Sequence, residues 1–199
     1  MSDIGLSSGV RSNLLQLQKT ADLVTNTQTK LATGKRVNSA LDNPINYFTA
    51  QGLTNRASDL GNLLDSMSSG ISTIQAANNG ITSITKLVQS AQALVSQAQQ
   101  TSDTNVRQSL SAQFDAILGQ IGQLAADSGF NGINLLDNVN SADLTVTLNE
   151  NGTSTVTIAA VNFSATGDLA INNSVNNWGG TADITAASAE LTSALTTLR

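Results

Sequence analysis

Large apolar residues recur at alternating steps of three and four along the middle of the chain, from Leu53 to Ala98. Such a seven-residue repeat is typical of a helix that lies along partner helices. The repeat changes register near Ala77 and Asn78, so we expect local overwinding there. We predict one long helix with its seam covered by other helices. The seam comprises Leu53, Leu60, Leu64, Met67, Ile71, Ile74, Ile81, Ile84, Val88, Ala91, Val95 and Ala98.

The other positions of this predicted helix are poor in charge, because Lys86 is the only charged residue between Asp65 and Asp103. Ser, Thr, Asn, Gln and Ala stand where a solvated coiled coil carries Glu and Lys. Small uncharged side chains are desolvated at lower cost than charges. The stretch therefore fits either a subunit packed against other copies of itself or an ordinary long helix with a polar face.

Two more segments show the same helical period. A first helix is predicted from about Ser8 to Ala32, with Gly34 as a left-handed stop. A third helix is predicted after Asp103, which is a good N-cap, and it extends to about Asp127. We expect Gly129 to end this helix in the left-handed conformation. Folded back, the third helix would cover the seam of the long one.

The period changes to two after the third helix. Apolar and Thr residues alternate in two short runs on either side of Glu150-Asn151-Gly152, which predicts a β-hairpin. A two-residue Asn-Gly loop would mix the faces of the hairpin. A three-residue loop with Gly152 in the left-handed conformation pairs Val146 with Val156 and Leu144 with Ile158, and we predict that loop.

The segment from Asn162 to Gly180 has no clear period, and its lone Trp178 is predicted to be a local anchor. A last helix is then expected, with Thr181 or Asp183 as its cap. The seven-residue repeat returns there and continues to the end of the sequence. Its apolar positions are Ile184, Ala187, Leu191, Ala194 and Leu198.

Composition excludes several classes of function. Among 199 residues only 3% are aromatic, and neither Cys nor His is present, which removes thiolate and imidazole metal sites and His-dependent nucleophile pairs. We therefore predict no enzymatic activity, cofactor or metal. Nine Lys and Arg with a net charge of −5 argue against nucleic acid as a partner. No apolar run is long enough for membrane insertion, and residues 1–9 lack the apolar core of a cleaved signal peptide.

Three motifs carry a resemblance to a known family. The stretch from Leu31 to Pro44 resembles the signature of bacterial flagellins at seven positions. The runs Ser69–Gln75 and Phe130–Leu136 are similar to two further flagellin patterns, in the same order. The resemblance covers about residues 4–137. The seven matching positions of the first motif are Leu31, Gly34, Arg36, Asn38, Ser39, Ala40 and Asp42.

This resemblance implies a mainly α fold, a long antiparallel helical bundle or coiled coil with a small β-hairpin region. It implies a structural subunit of the extracellular flagellar filament, exported by the type III route and self-assembling for motility, with an export chaperone and a cap protein as partners. Arg36 and Asp42 are expected to form an ion pair. The residues expected to make assembly contacts are Gly34, Arg36, Asn38, Ser39, Asp42, Ile71, Ile81, Val88, Phe130, Asn131 and Gly132.

The expected organisation has four parts. Residues 1–43 form an N-terminal helix and connector of the filament-core type, and residues 44–137 form a long helical rod domain. Residues 138–180 form the hairpin and an outward-facing loop, and residues 181–199 begin a return helix. Flagellins continue through longer C-terminal helices, so we expect a truncated subunit: an engineered fragment, a proteolytic product or a shortened natural form. The first helix, without its partner, should be disordered or borrowed by a neighbouring molecule.

Two alternatives fit the same pattern. One is a hook–filament junction protein, which resembles flagellin in its terminal helices, and the other is a secreted helical module that binds a single partner.

Many flagellins are also sensed by a Toll-like receptor through an Arg, a Leu and a Glu. The corresponding charged positions fall on Gln89 and Gln113 here, so the resemblance predicts weak or absent receptor activation.

Overall fold

The structure, a computed structural model, describes residues 7–139 and 142–199. The first residues of the flagellin-like region, 4–6, and two residues of the predicted outward-facing part, 140–141, lie outside the described residues. The chain divides into two compact units, which we call unit 1 (Met1–Asp59) and unit 2 (Leu60–Arg199). The elements are α1 (Ser8–Thr33), α2 (Pro44–Gln99), α3 (Thr104–Asp127), β1 (Leu144–Thr147), β2 (Thr155–Ile158) and α4 (Thr181–Thr197).

The predicted helix starts and stops are mostly confirmed. Gly34 follows α1 with φ +66°, and the carboxylate of Asp103 accepts hydrogen bonds from two amides in the first turn of α3. The helix α2 begins nine residues before the predicted seam, because Asn43 caps it through a 3.0 Å hydrogen bond from the Asn46 amide. Pro44 then occupies the first helical position, where its missing N–H costs nothing.

The prediction for Gly129 is wrong. Ser128 is the C-cap of α3, with an ordinary φ of −84°, and Gly129 does not adopt a positive φ. The reason is that another side chain satisfies the last carbonyls of the helix. The Asn134 amide nitrogen donates to the carbonyls of Ala125 and Ala126 at 2.7 and 2.8 Å. A left-handed glycine is therefore not needed to close this helix end.

The core of unit 2 lies where α2, α3 and α4 meet. Helices α2 and α3 are antiparallel, because a four-residue turn joins their ends and Ser128 after α3 lies against Gly80, well back along α2. The largest fully buried side chains include Phe114, Ile121 and Trp178. The core positions of α2 and α4 follow the predicted repeat; they are Ile84, Val88, Ala91, Val95, Ala98, Ile184, Ala187, Leu191 and Ala194.

The seam prediction fails over the first half of the predicted seam, where Leu53, Leu60 and Leu64 are exposed as well as two later positions. Ile71 and Ile74 are 56% and 41% exposed, whereas the buried face between residues 70 and 80 consists of small residues. A Cβ atom on Gly70 would lie 2.7 Å from Val146 of β1. The hairpin thus approaches the α2 backbone too closely for a large side chain. The buried positions in this stretch are Gly70, Thr73, Ala77 and Gly80.

The hairpin has the predicted register. Strands β1 and β2 are antiparallel, with Leu144 opposite Ile158 and Val146 opposite Val156. Gly152 has φ +68°, and its amide donates to the Asn149 carbonyl at 3.2 Å. Leu144 is buried, which fixes the face of β1 that packs on the helices.

The segment before α4 packs through the predicted anchor. Trp178 is fully buried, and its ring centroid lies 5.0 Å from that of Phe114 in α3. The prediction that Thr181 or Asp183 caps α4 is wrong, because Gly180 holds the N-cap position and Asp183 lies in the first turn. In the described residues, no helix combines the length and hydropathy that a membrane span requires. The four-part division of the chain stays a prediction.

Candidate assembly surfaces

The connector between α1 and α2, in unit 1, is built around Asp42. Its carboxylate Oδ2 accepts hydrogen bonds from the amides of Asn38 at 3.1 Å and Ser39 at 3.2 Å. The Asn38 side-chain oxygen accepts a 2.8 Å hydrogen bond from the hydroxyl of Thr33 at the end of α1. Five of the predicted residues therefore lie in one short segment, which begins with Gly34 after α1 and ends with Asp42.

The pKa of the Asp42 carboxyl is lowered from its ordinary value of 3.8, first by the Asn38 amide and then by the Ser39 amide. The positive charge of Lys30 lowers the pKa in the same direction. Both amides stabilise the charged form of the carboxylate. The connector is therefore organised by an ionised side chain at neutral pH.

The predicted ion pair between Arg36 and Asp42 does not form within the chain. Among the described residues no ion pair involves Arg36, and the Asp42 carboxylate binds backbone amides. The physical reason is proximity, since the amides of residues three and four positions earlier are already held by the turn. Arg36 instead borders an open groove of about 780 Å³ together with Lys35, Tyr47 and Ala50, all in unit 1.

The three predicted contacts on α2 have different surroundings. Val88 is fully buried in the core of unit 2 and has no surface left for another molecule. Ile71 is 56% exposed. Ile81 is half-buried and lines an apolar groove of about 330 Å³ with Ile74, Ile158 and others. Ile71 and Ile81 therefore remain candidates for contacts between molecules, whereas Val88 serves the intramolecular core.

The turn after α3 presents the last three predicted residues. The amide and carbonyl groups of Phe130 and Ile133 are paired at 2.9 and 3.0 Å. Asn131 and Gly132 complete this tight turn with φ +50° and +82°, values that Asn and Gly tolerate. The Phe130 ring side chain is 42% exposed, so the turn displays an aromatic residue.

Sequence reasoning missed the polar residues that fix these surfaces. Arg107 is buried, and its Nε donates to the carbonyl of Thr101 at 2.8 Å and to that of Ala98 at 3.3 Å, closing the end of α2. Asn134 spans from the end of α3 to the Leu136 amide, to which its side-chain oxygen is bonded at 2.9 Å. A single Asn in a motif gives no sign of which carbonyls it will reach. The described residues contain no cluster of three or more acidic side chains that suits a metal ion.

Comparison with known proteins identifies the family. Residues 8–141 match the family described as the bacterial flagellin N-terminal helical region. The chain belongs to the flagellin family. Flagellin relatives include FljN of Caulobacter vibrioides, 31% identical over 84% of this chain, and FljM of the same organism, 27% identical over 92%. A flagellin of Listeria monocytogenes is 27% identical over 61% of the chain.

The flagellin fold is also shared with a solved structure. The crystal structure of Bacillus cereus flagellin matches 69% of this chain and 76% of its own, with a TM-score of 0.55 and 21% sequence identity. At that identity the match concerns the fold alone. The chain spans 61% of the length of FljN and 50% of that of FljO, another Caulobacter vibrioides flagellin.

Proposed function

We propose that this chain is a structural subunit of a bacterial flagellar filament and that it self-assembles through its helices outside the cell. Membership of the flagellin family supports this role, since flagellins are structural proteins. The observation that carries the proposal is the apolar side of α1. None of the residues of α1 is buried, although the helix has 26 residues and an apolar repeat. The exposed apolar positions are Val10, Leu14, Leu17, Val24 and Leu31.

An uncovered apolar stripe of this length favours association with other molecules. A helix that finds no core within its own chain gains most of its stability by packing against a neighbour. Many copies stacked side by side would supply that neighbour to every subunit. The half-exposed Ile71 and the apolar groove beside Ile81 offer further apolar surface in unit 2.

Seeded polymerisation tests the proposal. The full-length protein, seeded at neutral pH, should form long fibres visible by electron microscopy. Arg36→Ala should slow assembly while leaving the unfolding temperature of the monomer unchanged, because Arg36 is exposed and has no partner within the described residues. Lys19→Ala, which removes an exposed charge from α1, is the matched control. A protein that stays soluble with every seed, or an Arg36→Ala variant that unfolds and loses assembly equally, would contradict this role.

We further propose that the chain leaves the cell by the flagellar type III route, with an export chaperone and a cap protein as partners. In this proposal residues 1–43 are of the filament-core type, and residues 44–137 form the long helical rod domain. Residues 138–180, including the hairpin, face outward, and residues 181–199 begin the return helix. Proteolysis of assembled fibres should then cleave the segment after Leu136 before it cleaves α2.

The proposed subunit activates the Toll-like receptor weakly or not at all. Gln89 and Gln113 are both exposed on unit 2, and neither provides the charge that a charge-assisted hydrogen bond requires. Reporter cells should respond more strongly to the double variant Gln89→Arg with Gln113→Glu than to the unmodified chain. A potent response to the unmodified chain would overturn this expectation.

A further inference from the structure

The two units carry opposite formal charge. Unit 1 has six Lys and Arg against four Asp, which gives +2. Unit 2 has three basic against ten acidic residues, which gives −7. When two copies meet, unit 1 of one copy is therefore attracted to unit 2 of the other, whereas two copies of unit 2 repel each other. This distribution favours a contact between different surfaces of two copies.

The groove in unit 1 is the basic partner in such a contact. It lies between the connector and the first turns of α2, and its volume is about 780 Å³. Lys35 and Arg36 line it, both exposed and without ion pairs in the described part of the chain. Tyr47 and Ala50 supply apolar surface in the same groove. The groove thus offers two free cations beside an aromatic ring.

The end of α3 and the turn that follows it, residues 127–132 of unit 2, have features complementary to those of the groove. Asp127 is the last residue of α3, it is exposed, and no described group binds its carboxylate. A negative charge at a helix C-terminus is disfavoured by the helix dipole, and the last turn of α3 contains no basic residue to offset it. A cation from outside would therefore be stabilised here. Phe130, three positions on, is 42% exposed.

We propose that the groove of one copy binds the 127–132 turn of the next copy, with Arg36 facing Asp127 and the Phe130 ring against Tyr47. The inference rests on the proposed filament function and names one of its contacts. Because the two surfaces differ, a pair of copies joined by one such contact still has one free groove and one free turn. Such a head-to-tail contact continues into an open helical assembly where the rotation does not close.

Charge reversal in the full-length protein tests the contact. Arg36→Glu and Asp127→Arg should each slow seeded fibre growth by about tenfold or more, because each places like charges together. The double variant should recover growth to within about threefold of the unmodified chain, since the pair is restored in reverse. Lys19→Glu and Asp65→Arg, which reverse exposed charges outside the two surfaces, are the matched controls. Unchanged growth in both single variants, or no recovery in the double variant, overturns the proposal.

Cysteine cross-linking tests the contact without fibre growth, and the chain contains no natural Cys. Gln51→Cys in the groove and Ala126→Cys beside Asp127, mixed as separate proteins at high concentration, should form a mixed disulfide dimer under mild oxidation. Thr192→Cys, exposed on α4, replaces Ala126→Cys in the control mixture. Equal yields in the two mixtures overturn the contact. If fibres form but this cross-link does not, the contact is contradicted and the proposed function is unaffected. If the cross-link forms but fibres do not, only the filament role is contradicted.

Discussion

Units 1 and 2 both contain helices with a clear apolar repeat, yet only unit 2 has a packed core. In α1 no residue is buried, whereas seven residues of α3 are, including Phe114 and Ile121. In unit 1 the connector is held by hydrogen bonds from two backbone amides to the Asp42 carboxylate. An apolar repeat therefore predicts a helix and which of its sides is apolar. It does not show whether the same chain covers that side.

The largest expected difference between the units comes from the same substitution made in each. Phe114→Ala in unit 2 should lower the free energy of unfolding by about 3–5 kcal/mol, because the ring is fully buried beside Trp178. Phe48→Ala in unit 1 should change it by about 0.5 kcal/mol or less, because that ring is 64% exposed. Urea unfolding followed by circular dichroism measures both. A cost above about 2 kcal/mol for Phe48→Ala would mean that unit 1 has a core of its own.

Within unit 2, two glycines of α2 should respond in opposite directions. A Cβ atom on Gly80 would lie 2.7 Å from both Ser128 Cβ and Leu136 Cδ1 and still closer to the Ser128 hydroxyl. Gly80→Ala should therefore destabilise the fold by about 1–3 kcal/mol through overpacking.

Gly61 is the matched control, because nothing lies within 4 Å of a Cβ atom built there. Gly61→Ala should stabilise the helix by about 0.5–1 kcal/mol, since alanine loses less backbone entropy. Thermal unfolding of the two variants provides the comparison. Stabilisation by both substitutions would show that Ser128 and Leu136 give way easily.

The contrast between Gly80 and Gly61 also marks the limit of what the sequence predicts. The helix ends at Gly34 and Asp103 and the hairpin register follow from residue types, because local sterics and hydrogen bonding decide them. Both glycines appear equal in the sequence as helix-weakening residues. Only the approach of Ser128 and Leu136 makes one of them necessary.

The sequence likewise predicts only some features of the candidate surfaces. The motif names residues of one connector, but the Asp42 carboxylate binds amides rather than Arg36. The apolar period places Ile71 in the seam, but the hairpin takes the neighbouring small-residue face. In the first case the partner is a backbone amide instead of a side chain, and in the second it is a hairpin far along the sequence. The spacing of residue types gives no information about either partner.

A smaller effect concerns the stability of α1 in the monomer. Its Thr hydroxyls bond to the carbonyls four residues earlier, as Thr25 does to Ala21 at 2.9 Å, and β-branched residues are weak helix formers. We expect the free energy of opening of the amides from Leu14 to Val24 to be about 1 kcal/mol or less. Hydrogen exchange should find them far less protected than Val88 or Ile121 and strongly protected in fibres. Strong protection in the monomer would mean that α1 is stable without a neighbour.

The smallest expected effect is the pH response of the connector. Because the folded pKa of Asp42 lies below the ordinary 3.8, its ionised form stabilises the turn fully above that value and the contribution is lost as the pH falls through the lowered pKa. The amide proton signals of Asn38 and Ser39 should therefore titrate below pH 3.8 in an NMR experiment. Asp42→Asn should abolish this titration and broaden the connector signals at neutral pH. Asp59→Asn, which removes an exposed carboxylate from the same unit, should leave both amides unchanged. Titration of the two amides at or above 3.8 would mean that the carboxylate is not held by the turn and that unit 1 lacks even this local order.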